Sequence, residues 1–423
     1  MGWWFKTKLW LRVLLALVAG IGFGVLVNDT MGSADATVFM QTWISPIGQA
    51  FVRLIRMLIV PLIFTTLVAG IMAMGDPARL GSLGLKTILL YMGTTLFANI
   101  VGLTVGTFFR PGEGADLGGV TPEQLGEATP LIDRVLAIIP QNPIAALAEG
   151  NVLAIIFFSV MLGVAILSTG KAGKPVGDLF ESASEVVMKI THYVMEVAPF
   201  GVFALVATTT VVQGLEALQS IAALIGVVYI GLVIHAVITY GILVRIILNL
   251  PLIRFFRGIL DAVAVAYSTS SSSATLPVTI ACATDNLGIK KPVAGSVLPL
   301  GATINMDGTA LYLGILALFA AQAFGIELTL MNYVIIAFTA ALVSIGAAGI
   351  PSASLFLLAI VLDTFGVTVE QQAIMLGLLL PVDRIMDMAR TSVNVMGDSA
   401  VATAVAKWEG ELDEETFKTP AKI

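Results

Sequence analysis

The stretch Asp383-Arg-Ile-Met-Asp387-Met-Ala-Arg390-Thr391-Ser-Val-Asn394-Val-Met-Gly-Asp398 lies within an otherwise apolar segment, 371–408, near the C-terminus. Asp383, Asp387, Arg390, Asn394 and Asp398 follow one another at steps of four, three, four and four residues, so a helix carries all five on one face. Counting Arg384, the stretch holds five charged side chains. At about 2.5–3.5 kcal/mol each in the middle of a membrane helix, exposing them to lipid would cost on the order of 12–17 kcal/mol. They must face protein, ions or water. A salt-bridge network that only holds a bundle together is the plainer account. It leaves unexplained why other broken segments supply so many oxygen ligands. The residue types support a site instead. Arg390 offers a planar fork for a carboxylate. Asp387, one turn earlier, suits an ammonium group, and Asp398 and Asp307 remain as hard oxygen ligands for a small cation.

The rest of the chain places this helix in a membrane. Apolar residues make up 57 % of the 423 and charged residues 12 %, about half the usual soluble share. The charge is too sparse to cover a soluble surface of that size. No basic block is present that would serve nucleic acid, so no nucleic-acid partner is expected. A single cysteine, Cys282, excludes an intramolecular disulfide and a Cys-based metal site, and two histidines, His192 and His235, exclude a multi-histidine zinc site. The N-terminal apolar run from Leu9 to Val27 is longer than a signal-peptide core and has no small-x-small cleavage site after it. It reads as the first membrane helix.

Further spans fall at about 43–74, 84–109, 151–169, 186–213 and 217–249. Lys6, Lys8 and Arg12 precede the first span, Arg79 and Lys86 the third, and Lys171 and Lys174 follow the fourth. Arg245, Arg254 and Arg257, then Lys290 and Lys291, then Lys407, Lys418 and Lys422 complete one side. The loop at 111–150 carries Glu113, Asp116, Glu123 and Glu127 and falls on the other. The positive side is the cytoplasm, which puts both termini there, in a plasma (inner) membrane.

The C-terminal half departs from simple spans. Residues 258–288 are interrupted by Ser268-Thr-Ser-Ser-Ser-Ser273 and Pro277, residues 293–323 by Gly301 and Asn305-Met-Asp-Gly-Thr309, and residues 330–366 by Gly346-Ala-Ala-Gly-Ile-Pro-Ser352. Backbone released from a helix cannot face lipid, so these breaks line a cavity or lie in protein. Segments 258–288 and 330–366 are too short to span twice and read as re-entrant helical hairpins around a mid-membrane site.

At these residues the chain resembles the dicarboxylate/amino acid:cation symporter family over nearly its whole length. The likeness rests on Ser270-Ser-Ser-Ser-Ala-Thr-Leu-Pro-Val-Thr279, Leu300-Gly-Ala-Thr-Ile-Asn-Met-Asp-Gly-Thr-Ala-Leu-Tyr312, Gly346-Ala-Ala-Gly-Ile-Pro351 and Asp387-Met-Ala-Arg-Thr-Ser-Val-Asn-Val-Met-Gly-Asp398. The resemblance implies an all-α polytopic homotrimer of eight transmembrane helices and two re-entrant hairpins, with inverted repeats and an elevator mechanism. Residues 1–78 and 113–214 would form the scaffold and the external loop. Residues 79–112 and 215–410 would form the moving transport domain, and 411–423 a cytoplasmic tail. The implied function is symport of an acidic amino acid, aspartate or glutamate, with sodium as coupling ion and no cofactor. The same family also includes proton-coupled, dicarboxylate and neutral amino acid carriers.

Position by position, the resemblance implies substrate contacts at Ser271, Ser272, Thr309, Ile350, Ser354, Asp387, Arg390, Thr391 and Asn394. It implies three sodium sites. One is Asp398 with carbonyls of Gly301, Asn305 and Asn394. A second uses backbone oxygens of Thr303, Ser344, Ile345 and Ala347. The third gathers Thr94, Thr95, Asn305 and Asp307 with the carbonyl of Tyr91. The sequence departs from the family at Ser270 and Met388, where an arginine partner for Asp387 is expected, and leaves Arg384 as a partial substitute. Leu313 stands where animal members carry a proton-bearing glutamate, which argues against proton antiport or potassium coupling of their kind. The presence of Asp387 and Asp398 favours an amino acid and sodium over a dicarboxylate. A serine hydrolase is the rival enzyme reading. No Gly-x-Ser-x-Gly elbow surrounds Ser270–Ser273, and the histidines lie on other helices. A channel reading finds no repeated filter motif.

Overall fold

The computed structural model describes residues 9–72, 77–115, 139–213, 216–345 and 353–419, together with Thr7, Leu117 and Leu136. Among these residues the regular structure is helical, apart from one antiparallel bridge between Ile289 and Leu412. The N-terminal half comprises α1 (Leu9–Met31), α2 (Ser33–Phe39), α3 (Ser45–Met72), α4 (Pro77–Phe109), α5 (Pro143–Glu149), α6 (Val152–Thr169), α7 (Lys174–Gln213) and α8 (Glu216–Gly241). The C-terminal half comprises α9 (Leu252–Gly258), α10 (Leu260–Thr269), α11 (Ser272–Ala281), α12 (Lys291–Ile304), α13 (Asp307–Ala323), α14 (Leu330–Ile345), α15 (Ala353–Asp363), α16 (Val369–Trp408) and α17 (Glu414–Lys418).

Among the described residues five stretches are long and apolar enough to cross a bilayer: Leu11–Met31, Leu83–Phe109, Ala154–Ala172, Ser220–Ile247 and Lys291–Ala323. α7 adds a sixth when its halves, Lys174–Val194 and Glu196–Val212, are taken as one span bent by 44°. The cause of the bend is Pro199, which has no N–H for the Met195 carbonyl and whose ring crowds that turn. The helix also begins about three turns before the hydropathy window placed at 186–213. Asp178, Glu181 and Glu185 hide this first part from an apolar count. α3 and α16 have the length to span but carry charge.

The serine run and Asn305-Met306 end helices where the sequence places breaks, whereas Pro277 and Gly301, also expected to interrupt, stay inside α11 and α12. Ser270 ends α10 in the left-handed conformation, φ 52° and ψ 39°. Ser271 then starts α11 as its N-cap, its Oγ accepting from the Ala274 N–H. α10 and α11 pack against each other, and at ten residues each they are about 15 Å long, half of a hydrocarbon core of about 30 Å. α14 and α15 likewise pack together, and residues 346–352 between them lie outside the described residues. α12 and α13 are separated by Asn305 and Met306, both with non-helical dihedrals.

α1, α3 and α6 each pack on α7, and α6 also packs on α3. α16 runs through the second group, touching α8, α10, α12 and α13, while α4 lies along α13. α13 is buried along nearly its whole length. Arg12, which the sequence places before the first span, is inside α1 and 3 % exposed. It donates from Nη1 and Nη2 to Glu196 Oε2 and Oε1 at 2.8 and 3.0 Å, joining α1 to the bend of α7. At the other end, the tail folds back. Asp413 N–H donates to the Gly288 carbonyl and Lys290 N–H to the Glu411 carbonyl, and Phe417 is buried. Glu414 pairs with Lys407 at 2.8 Å and Lys418 at 2.9 Å, and these hydrogen bonds pull its carboxyl down to about 2.

Two expectations follow. Glu196→Gln strands the Arg12 charge and lowers stability by on the order of 2–3 kcal/mol, read as a lower melting temperature in detergent. Replacing both partners by leucine recovers most of that loss. The Glu414 carboxyl is depressed on folding, so its contribution is complete above its ordinary value of 4.5 and is lost as pH falls through about 2. Amide exchange in α17 should therefore stay protected from neutral pH down to about 4.5, with Glu414→Gln already faster at pH 7.

Candidate functional site

α16 turns Asp383, Asp387, Arg390, Thr391, Asn394 and Asp398 into the protein, where all six are buried. The i, i+4, i+7 spacing stacks Asp383, Asp387 and Arg390 on one face. Arg390 Nη1 donates to Asp383 Oδ1 at 2.9 Å, and Nη2 lies 2.9 Å from Asp387 Oδ1. The guanidinium sits 4.5 Å over the Tyr312 ring of α13, and the Tyr312 hydroxyl donates to Asp383 Oδ1 at 2.8 Å. Thr391 Oγ1 donates to Asp387 Oδ1 at 3.3 Å. A charge that would be ruinous in hydrocarbon is thus held by two carboxylates and an aromatic face.

One turn of α16 further on, the α12–α13 break brings Asn305 and Asp307 against α4. Thr94 Oγ1 lies 3.2 Å from the Tyr91 carbonyl, 3.3 Å from Asn305 Oδ1 and 3.2 Å from Asp307 Oδ1. Thr95 Oγ1 donates to Asp307 Oδ1 at 2.8 Å. The Thr94 hydroxyl has one proton for three acceptors. Oxygens therefore outnumber the protons between them, the arrangement a hard cation resolves. All five residues of the third ion set come together in this way.

The first set gathers beside it. Asn305 Nδ2 donates to Asp398 Oδ1 at 2.9 Å and to the Asn394 carbonyl at 3.4 Å. Gly301 lies against Asp398, where a Cβ would come within 2.6 Å of Oδ1. Asn394 links the two regions. Its Oδ1 accepts from Gly308 N–H at 2.7 Å, and its Nδ2 lies 3.5 Å from Thr309 Oγ1. Of the second set, Thr303 is in the last turn of α12, and Ser344 and Ile345 end α14, which touches α12. Thr303 and Ser344 hydroxyls each donate within their own helix, and Ala347 lies outside the described residues.

Among the remaining substrate positions, Ser271 caps α11 and Ser272 is buried in its first turn. Ser354 is buried near the start of α15 with no hydrogen bond to its hydroxyl. Ile350 lies outside the described residues. The substitute role expected of Arg384 is corrected. Its Nη2 donates to the Ser268 and Thr269 carbonyls, both at 3.3 Å, and the cation beside Asp387 is Arg390.

Four residues at the site were given no part in it from the sequence. Asp383 stood in the stripe without a role, although its spacing to Arg390 was visible. Tyr312 sits in a quoted motif but gained meaning only from the α13–α16 packing. Tyr240 and His235 on α8 are the others. Tyr240 donates to Asp307 Oδ2 at 2.9 Å, and His235 Nε2 lies 3.5 Å from the same oxygen. Their signal was polarity in an apolar helix.

The electrostatics are lopsided. Asp383, Asp387, Asp307 and Asp398 are all buried, with the Arg390 guanidinium beside two of them. Burying so many carboxyl groups calls for cations or protons.

A family model described as the sodium:dicarboxylate symporter family matches residues 9–408. The chain belongs to this family. The chain is 35 % identical over 423 residues to the proton/sodium-glutamate symport protein of Bacillus subtilis (strain 168), covering 98 % of this chain and 96 % of that one. It is 35 % identical over 422 residues to the proton/glutamate-aspartate symporter of Escherichia coli (strain K12), covering 97 % and 95 %. The C4-dicarboxylate transport protein of Rhodospirillum rubrum is 34 % identical over 427 residues, covering 99 % and 92 %. As a sodium:dicarboxylate symporter family member with several apolar helices, the chain is a multi-pass membrane transporter and not an enzyme.

Gly397 offers a direct check on the ion cluster. A Cβ there would come within 2.6 Å of Asn305 Nδ2, 2.7 Å of Asp307 Oδ2 and 2.8 Å of the Tyr240 hydroxyl. Gly397→Ala should raise the concentration of coupling cation needed for half-maximal uptake at least about tenfold, a loss of one good ligand's worth of binding.

Proposed function

We propose that the chain is a secondary active transporter that carries L-aspartate or L-glutamate across the membrane in symport with sodium. The observation that supports this most is the oxygen cluster at Tyr91, Thr94, Thr95, Asn305 and Asp307, which holds more acceptors than protons. All of its ligands are oxygen, the preference of a hard cation.

Substrate recognition follows from α16 and the hairpin ends. Arg390 has five N–H donors, and the contacts to Asp383 and Asp387 use one on each terminal nitrogen. The remaining donors suit a side-chain carboxylate. Asp387 takes the ammonium group, and the N-terminal turn of α11 at Ser271 and Ser272 takes the α-carboxylate, as helix N-termini favour anions. Coupling is electrostatic. An acidic amino acid brings a further net negative charge to a site where buried carboxyl groups outnumber the guanidinium four to one. It binds well only when cations bind with it, so substrate and sodium travel together.

On this reading α10–α11 and α14–α15 are re-entrant hairpins among eight membrane helices. Their half-span lengths and mutual packing support it. α1, α3, α6 and α7 form the static scaffold of a homotrimer. The site lies on α4, α8 and α10–α16, which move as an elevator. The closer packing within each of these two groups of helices than between them supports the division. The protein sits in the plasma membrane with both termini in the cytoplasm, following the distribution of lysine and arginine.

Titration calorimetry of the purified protein tests this reading. L-aspartate or L-glutamate should bind with sodium and fail to bind without it, and succinate and neutral amino acids should bind far more weakly. Uptake into liposomes should follow an imposed sodium gradient. Uptake driven by a pH gradient alone, as the names of several relatives suggest for them, would replace sodium by a proton. Arg390→Cys should lose acidic substrates and gain neutral ones. Unchanged aspartate affinity in that variant would overturn the role of Arg390. Asp398→Asn should weaken sodium dependence, and an unchanged dependence would remove Asp398 from the ion site.

A further inference from the structure

Arg384 is the charged residue of the α16 stripe that faces neither the ion cluster nor the Asp383–Arg390–Asp387 group. Its guanidinium reaches across to α10 and donates to two backbone carbonyls, those of Ser268 and Thr269, each at 3.3 Å. These are among the last carbonyls of α10, which have no partner within their own helix. A helix C-terminus also carries partial negative charge, which a cation complements.

The turn that follows is tied within the hairpin by Ser270 N–H to the Ala266 carbonyl at 2.8 Å and Ser271 N–H to Thr269 Oγ1 at 3.3 Å. Ser270 is held at φ 52°, a conformation costly for a residue with a Cβ. It is 1 % exposed, and among the described residues its hydroxyl finds no hydrogen-bond partner. The next two residues, Ser271 and Ser272, are the proposed substrate contacts. Arg384 is three residues before Asp387 and six before Arg390, so the same helix that carries the charged half of the cleft also grips the tip of the serine half. Elsewhere the two elements meet mainly through packing, with one long bond from Ser392 Oγ to the Val263 carbonyl at 3.4 Å.

We propose that Arg384 is a positioning residue that ties the α10–α11 tip to α16 and so fixes the width of the substrate cleft. It does not touch substrate. It sets the distance between Ser271–Ser272 and Asp387–Arg390, and hence affinity. The inference rests on the reading of this cleft as the substrate site.

The test compares the full-length parent with Arg384→Ala and Arg384→Lys. Lysine keeps the charge and can reach one carbonyl at a time. Amide exchange across residues 266–274, measured without substrate, should quicken in Arg384→Ala and less so in Arg384→Lys, with α13 and α16 unchanged. Calorimetric binding of L-aspartate and L-glutamate at saturating sodium should weaken about tenfold in Arg384→Ala, the loss of a charge-assisted bond, with partial recovery in Arg384→Lys. Parent-like exchange at the tip overturns the tie. Parent-like affinity in Arg384→Ala, or an affinity loss that Arg384→Lys does not reduce, overturns its link to binding. A fall in melting temperature with exchange raised everywhere overturns the positioning role in favour of a general structural one. A parent that binds neither acid overturns the substrate reading, and the exchange comparison then decides the tie alone.

Discussion

Four carboxylates and one guanidinium are sealed into the centre of a helical bundle, and the rest of the structure answers to that burial. A continuous apolar helix cannot compensate them, because its backbone groups are already spent on one another. The chain therefore breaks its helices at this depth. The end of α12 at Ile304 leaves carbonyls without helical partners beside Asn305 and Asp398. The start of α13 places Asp307 at the positive end of a helix, where a carboxylate is stabilised. α10 ends and α11 begins on the facing side. Helix ends of both polarities thus converge on one cleft, which allows a cation and an anion to be held close together.

Close approach is a second consequence. The oxygen cluster packs its side chains directly against the backbones of α12 and α16. Gly301 and Gly397 make room, since a Cβ at either would occupy ligand positions of Asp398, Asn305 or Asp307. Asn305 joins the two clusters, its Oδ1 3.3 Å from Thr94 Oγ1 and its Nδ2 donating to Asp398. If both clusters hold cations, as proposed, they share this residue, and occupancy of one would alter the geometry offered to the other. A shared amide of this kind is a physical route for cooperative binding.

Much of this was legible in the chain, and for identifiable reasons. The 4-3-4-4 spacing of the α16 stripe is independent of tertiary context, so the buried face followed from helical geometry alone. The break between α10 and α11 was visible because a serine run interrupts an apolar segment that is too short to cross twice. Less legible was everything that depends on a partner helix. Arg12 looked like a flanking charge because its partner, Glu196, is 184 residues away at a bend made by Pro199. The start of α7 was missed because its first turns are amphipathic and carry acids. Arg384 was assigned toward Asp387 by proximity in sequence. Positions i and i+3 are neighbours on a helix, but the Arg384 side chain reaches the carbonyls at the end of α10 instead, a partner visible only in the fold. Tyr240 and His235 carried no spacing signal to Asp307, since α8 and α13 meet only in the folded bundle.

The pairing of Arg390 also bears on which acids the site suits. With no ligand present, Asp383 and Asp387 already neutralise the guanidinium and exceed it by one charge. A ligand that contributes only carboxylates deepens that imbalance. One that brings an ammonium to Asp387 relieves it, by on the order of 4 kcal/mol for a separation near 4 Å at an effective dielectric of about 20. A second carboxylate in the same place would be repelled by a similar amount. On the proposed reading of the site, the difference comes not from Arg390 but from the acid one turn before it. Discrimination between an acidic amino acid and a C4-dicarboxylate would then fall on Asp387, with Asp383 orienting Arg390 for both.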